Sequence, residues 1–151
     1  MILYLAYLHT FVHNHLDKID MIKKQYIDLL SNLTECPMIS NELFLEQINK
    51  IHEQGEIVIL YVDDFLIVGT GTILIENKII HGGKPVGHIE DIVVHPEYRN
   101  NNISQAIINK LKEYGDKCYK CYKIILNCQE NVKKVYIKAG FVEHGIQMRY
   151  N

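Results

Sequence analysis

Apolar positions between Asp17 and Leu33 recur at three- and four-residue steps, through Ile19, Ile22, Tyr26, Leu29 and Leu30, which is the period of one helix face. The same period returns from Ser40 to Ile51, with Ser40 placed as an N-cap and Gly55 as the stop. The rhythm then changes. Ile57–Val62 and Phe65–Glu76 are nearly continuous apolar runs separated by Asp63-Asp64, a turn-prone acidic pair, so they predict a hairpin. The Gly82-Gly83-Lys84-Pro85 loop follows Lys78–His81, and Val86–Val94 is the next strand. A helix is expected over Ser104–Tyr114, with Ala106, Ile107, Leu111 and Tyr114 on its buried side. Tyr122–Cys128 predicts a strand, Asn131–Ala139 a short helix with Gly140 as its stop, and Gln147–Tyr150 a final strand. Tyr7–His15 is expected to be the first strand. The resulting order, β-α-α-β-β-β-α-β-α-β, is that of an α+β protein: a mixed central sheet flanked by helices in an α/β three-layer sandwich. No repeat or linker interrupts it, and 151 residues suit one domain with a substantial core.

Composition narrows the possibilities without choosing among them. Hydrophobic residues make up 48% and charged residues 23%, ordinary for a globular chain, and a net charge of −2 leaves no electrostatic footprint for nucleic acid. Met1–Phe11 is apolar but lacks a basic leader and a small-residue cleavage site, and it is too short to span a bilayer. Of Cys36, Cys118, Cys121 and Cys128, only Cys118 and Cys121 have metal-like or redox-like spacing, and no second pair completes a ligand set. Reduced structural cysteines, no metal and a soluble cytoplasmic protein are expected. His9, His13, His15, His52, His95 and His144 form no metal-like grouping and read as exposed or satisfied side chains.

The chemistry concentrates in Gly87–Arg99. Glu90 and Asp91 lie inside a Val/Ile run, where paired acids are costly unless they meet a polar ligand or donors. The strand stops at the His95-Pro96 turn, reaches Arg99, and points at a helix N-terminus whose backbone N–H groups can hold an anion.

Four segments then fall in a recognisable order: Lys78-Ile79-Ile80-His81, Gly87-His88-Ile89-Glu90-Asp91-Ile92, Cys121-Tyr122-Lys123-Ile124-Ile125-Leu126, and Tyr136 through Gly140-Phe141. With Leu33-Thr34-Glu35 ahead of them, they resemble the glucosamine 6-phosphate N-acetyltransferases of the GNAT superfamily over about Phe11 to Met148. The resemblance implies the GNAT acyl-CoA fold and transfer of acetyl from acetyl-CoA to the amine of D-glucosamine 6-phosphate, a step toward UDP-GlcNAc. It implies direct attack in a ternary complex, with acetyl-CoA as co-substrate and no metal. A homodimer is implied as well, with the C-terminal strand region and Tyr122-Lys123 near the shared site.

Residue by residue, the resemblance assigns the backbone of Ile92, Val93 and Val94 to the acyl–pantetheine arm. It assigns Arg99, Asn100, Asn101, Asn102, Ile103, Ser104 and Gln105 to the pyrophosphate, with Asn127, Asn131 and Val132 also toward the cofactor. The family pattern Gln/Arg-x-x-Gly-x-Gly/Ala has lost both glycines here, and Asn102, of a type tolerant of the left-handed region, stands for the first. Asn131 falls one position early, so Val132 occupies its usual site. Tyr136 is implied to stabilise or protonate the departing thiolate. Glu90 and Asp91, read as alternating across the strand, are implied to bind sugar hydroxyls and the amine, an Asp91 carbonyl or a water taking the proton. Thr34, Lys78, Ile79, Ile80, His81, Ile92, Tyr122 and Lys123 are the substrate residues, Lys123 facing the phosphate. Arg149 is the one candidate for a C-terminal arginine contributed across the dimer, offset by two positions from the expected place, which holds Asn151. The alternatives are a GNAT enzyme for another amine, such as a peptide N-terminus or polyamine, and a non-catalytic acyl-CoA-binding module.

Overall fold

A computed structural model describes residues 1–151, with every side chain except that of Asp64. Its sheet has five strands in chain order: β1 (Tyr4–Tyr7), β2 (Gly55–Val62), β3 (Leu66–Glu76), β4 (Val86–Val94) and β5 (Lys123–Leu126). All neighbours are antiparallel except β4 and β5, which are parallel. Three helices, α1 (Leu8–Asn14), α2 (Ile19–Leu30) and α3 (Asn41–Gln54), precede the hairpin; α4 (Ile103–Glu113) crosses from β4 to β5, and α5 (Lys133–Lys138) follows β5.

The apolar run of β2 is continuous because both of its faces are covered. Ile57 and Ile59 pack with Leu8, Phe11, Ile22, Tyr26, Phe44 and Ile48 of α1–α3. Val58 and Leu60 turn the other way, toward Ile103, Ile107 and Leu111 of α4. The result is the expected three-layer arrangement. Each of those fully covered isoleucines is worth about 1.5–3 kcal/mol of transfer free energy. Ser40 caps α3 as its position implied, accepting from the Leu43 N–H at 3.1 Å. The one buried hydroxyl pair is satisfied: Tyr26 donates to Thr70 Oγ1 (3.1 Å), which donates to the Val58 carbonyl (2.9 Å).

α4 lies close to the sheet because β3 offers glycines beneath it. A Cβ on Gly69 would stand 2.7 Å from Ile103 Cγ2, and one on Gly71 would stand 2.7 Å from Ile107 Cγ2.

Three sequence expectations fail. The Tyr7–His15 strand is instead the end of β1 followed by helix α1, whose Leu8, Phe11 and Val12 are spaced to bury one face against α2 and α3. Gln147–Tyr150 is not a strand; the sheet ends at β5, and the tail lies beside it with Ile146, Met148 and Tyr150 exposed. Finally, β5 stops at Leu126 rather than Cys128, because its ladder partner turns away. Among the described residues no helix is long and apolar enough to cross a membrane, and no group of three or more His, Cys, Asp or Glu could hold a metal ion.

Candidate active site

The turn that ends the β4–β5 ladder is a β-bulge. Thr72 pairs with Glu90 and Thr70 with Val93, so Gly71 alone faces both Asp91 and Ile92. Asp91 supplies the extra residue in a left-handed conformation, φ 53°, which Asp tolerates better than most residues. The bulge resets the side-chain alternation. Ile89 and Ile92, three apart, share the α4 face, while Val93 joins the opposite core. Glu90 and Asp91 therefore do not alternate as a regular strand requires; both are exposed at the kink. The parallel ladder runs only from Val86↔Lys123 to Ile89↔Leu126. Beyond it, Ile92–Val94 keep β3 on one side and have no strand on the other. The two strands form a fork.

The fork leads to the start of α4. Asn100 and Asn102 both take left-handed backbones, φ 68° and 58°. Asn102 gives no side-chain cap, and no acidic residue sits in the first turn, so the opening N–H groups of α4 face outward uncapped. Asn101 turns inward, its amide donating to the carbonyls of Tyr98 (2.9 Å) and Arg99 (3.3 Å), which holds the loop shape. A pocket of about 300 Å³ opens here, lined by Val94, Arg99, Asn102, Ser104, Lys134 and Lys138 among others. None of its three cations is ion-paired among the described residues. The aligned helix and those charges suit an anion.

A larger pocket, about 670 Å³, follows the outer edge of β5 and includes Lys123, Asn127, Cys128 and Tyr136. Tyr136 stands edge-on to Phe141 (centroids 6.3 Å, 82°). Burial, and secondarily Cys128, raises its pKa above the ordinary tyrosine value, so the phenol keeps its proton at neutral pH. At the other end His81 stacks on Tyr122 (4.0 Å, 23°), and the Lys123 ammonium lies 5.6 Å from the Tyr122 ring centre. The Lys78–His81 and Tyr122-Lys123 segments thus meet. Lys78 itself is held by Glu76 at 3.1 Å, and Ile79 is 97% exposed. Thr34 is exposed in the turn after α2, Asn131 and Val132 line neither pocket, and Arg149 is exposed in the tail.

The acetyltransferase (GNAT) family matches residues 21–141. A glucosamine 6-phosphate N-acetyltransferase of Dictyostelium discoideum is 40% identical over 134 residues, 86% of this chain and 84% of the relative. One from Trypanosoma brucei brucei is 37% identical over 127 residues, 82% and 85% of the two chains. The chain belongs to the glucosamine 6-phosphate N-acetyltransferases of the GNAT family. The crystal structure of the Arabidopsis thaliana glucosamine-6-phosphate N-acetyltransferase superposes with a TM-score of 0.85 at 26% identity, covering 100% of this chain and 99% of the other. That of a Trypanosoma brucei acetyltransferase gives 0.84 at 31% identity, covering 99% of each.

Within this GNAT acetyltransferase the sequence reading missed Lys134 and Lys138, which stand on one helix face at i and i+4 and add two charges to the anion pocket. Their spacing was a visible signal. It also missed what Gln105 does: its amide donates to the Val135 carbonyl at 2.8 Å, so the side chain binds α5 to α4 even as its backbone sits at the anion pocket.

Proposed function

We infer that the chain transfers acetyl from acetyl-CoA to the amine of D-glucosamine 6-phosphate, giving N-acetyl-D-glucosamine 6-phosphate and CoA. The observation that carries this is the fork: β4 leaves β5 at an Asp91 bulge and ends over a cationic, uncapped helix start, in a chain 40% identical to an enzyme of that name. Acetyl-CoA brings an activated acyl carbon and a thiol leaving group. The donors present suit its phosphates: Arg99, Lys134, Lys138 and the first N–H groups of α4.

Ile92–Val94 offer free backbone groups for an extended amide-bearing arm, pairing as a peptide does with a sheet edge. Lys123, with Tyr122 and His81, takes the sugar phosphate, while Glu90 and Asp91 hold the hydroxyls and amine at the kink. The amine attacks directly: a C–N bond forms, the C–S bond breaks, the amine proton leaves toward the Asp91 carbonyl or a water, and Tyr136 protonates the departing sulfur. A homodimer belongs to the same proposal. The outer edge of β5 has no strand neighbour, and the tail alternates Ile146, Met148 and Tyr150 with Gln147 and Arg149. One copy's tail pairing there would bring Arg149 near the partner's phosphate site. Four free thiols suit a reducing, cytoplasmic setting.

The deciding experiment follows free thiol released from acetyl-CoA with and without glucosamine 6-phosphate. Release that requires the phosphosugar is expected. Binding of acetyl-CoA without release would leave a non-catalytic module, and equal rates with a polyamine would move the acceptor.

A further inference from the structure

The short helix that carries Tyr136 has little of its own to hold it still. α5 spans six residues, none of them fully buried, and a helix of that length is not stable in isolation. Two side chains of α4 reach across to its backbone. Gln105 Nε2 donates to the Val135 carbonyl (2.8 Å), and Lys112 Nζ donates to the Ala139 carbonyl (2.6 Å). These two carbonyls flank Tyr136 on either side. Gln105 and Lys112 are seven residues apart, two helical turns, so they project from one flank of α4 while Ile103, Ile107 and Leu111 anchor another in the core. The Lys112 ammonium also lies 5.9 Å from the centre of the Phe141 ring, the ring against which Tyr136 stands. Its positive charge meets the carbonyl end of α5, where a cation is favoured. The Lys112 bond is thus charge-assisted and directed at the turn that closes behind the phenol, where Ala139 and Phe141 N–H both donate to the Tyr136 carbonyl at 3.0 Å.

We propose that Lys112, which lies outside the anion pocket and at the wall of the larger pocket that holds Lys123 and Tyr136, is a positioning residue that fixes the reach of Tyr136 by clamping the C-terminal turn of α5 to α4. The proposal rests on the reading that Tyr136 protonates the leaving thiolate. One rigid helix then governs both ends of the acyl donor's site: its N-terminus faces the phosphates, and its flank sets the distance of the proton donor. A shift of α5 would slow the chemical step and, because Lys134 and Lys138 ride on the same helix, loosen donor binding as well.

The test compares Lys112→Met, Lys112→Arg, Tyr136→Phe and the Tyr136→Phe/Lys112→Met double variant by steady-state kinetics, with hydrogen exchange of the Ala139, Gly140 and Phe141 amides. Lys112→Met is expected to lower kcat by roughly 10-fold, with the KM for glucosamine 6-phosphate within about 2-fold and that for acetyl-CoA raised by no more than about 5-fold, since misplacing a reacting group costs more rate than binding. Lys112→Arg should recover most of that loss. In the Tyr136→Phe background, Lys112→Met should change kcat by less than about 2-fold, because the group it positions is already gone. The Ala139, Gly140 and Phe141 amides should exchange faster in Lys112→Met. An equal kcat loss in both backgrounds would make Lys112 merely structural, and unchanged exchange would remove the clamp; either overturns the proposal. Unchanged kcat in Tyr136→Phe with faster exchange in Lys112→Met would instead sink the Tyr136 reading and leave the clamp standing.

Discussion

Asn102 is held at φ 58°, ψ 21° where the family pattern has glycine, and Asn100 at φ 68° two residues before it. The tolerance of Asn for this region made the substitution legible from sequence, and the structure adds that its side chain makes no cap of its own. Asn102→Val should therefore cost about 1–2 kcal/mol in denaturant unfolding and raise the KM for acetyl-CoA, because a β-branched residue cannot hold the left-handed turn that keeps the helix start open. Unchanged stability and KM would mean the turn is not needed. Tyr136 is proposed from the register of Lys138-Ala139-Gly140-Phe141, and its raised pKa gives the proposed role a sign. The phenol stays protonated through neutral pH, so Tyr136→Phe should lower kcat by about 10²-fold with little change in acetyl-CoA KM. In the native enzyme, the alkaline loss of rate due to this group should have its midpoint above the ordinary tyrosine value of 10.0. Lys123→Ala should raise the KM for glucosamine 6-phosphate about 10-fold and leave turnover of unphosphorylated glucosamine alone; equal losses on both sugars would detach Lys123 from the phosphate.

At the scale of elements, helix and strand periods exposed most of the architecture, and the failures have physical causes. Leu8, Phe11 and Val12 already carried three- and four-residue spacing, yet the aromatic and β-branched content of Tyr7–His15 favoured a strand; burial against α2 and α3 decided for helix. The fork between β4 and β5 could be anticipated only by resemblance. Nothing in Glu90-Asp91-Ile92 marks a bulge, because the left-handed residue is Asp and the room for it is made on another strand by Gly71. That glycine joins fold to site. A Cβ there would lie 2.7 Å from Ile107 Cγ2 and 3.1 Å from Ile92 Cγ1, pressing on both α4 and the bulge. Gly71→Ala is expected to destabilise the fold by about 1–3 kcal/mol and to raise acetyl-CoA KM beyond what the stability loss explains. A chevron or melt showing the loss with KM unchanged would separate the packing role from the site.

Across the whole molecule, charge is arranged in two unlike regions on either side of the sheet. Around the α4 start it is proposed to bind the donor's phosphates; around α1, α3 and the head of β2 it bears on how stability responds to pH. His9 stacks on His52 (3.7 Å, 7°) and tilts against His13 (4.5 Å), while His52 Nδ1 lies 3.1 Å from the buried carboxylate of Glu56. Burial first, then His52 and His13, lowers the His9 pKa from 6.5. The unfolded chain therefore binds this proton before the folded chain does. The stability that neutral His9 confers is complete above about pH 6.5 and declines as pH falls toward the lowered folded value. Glu56 has the opposite sign: burial, opposed by His52 and the Ile57 N–H, raises its pKa from 4.5, so its contribution falls as pH rises from about 4.5 through the raised value. His9→Phe keeps a ring against His52, so the difference between it and the wild type reports the His9 proton together with its coupling to the neighbouring rings. Between pH 7.5 and 5.5 the urea midpoint of the wild type should drop further than that of His9→Phe, because only the wild type gains a proton on unfolding at that position. Parallel midpoints across the range would show that protonating the stacked His9 ring carries no penalty in the folded chain.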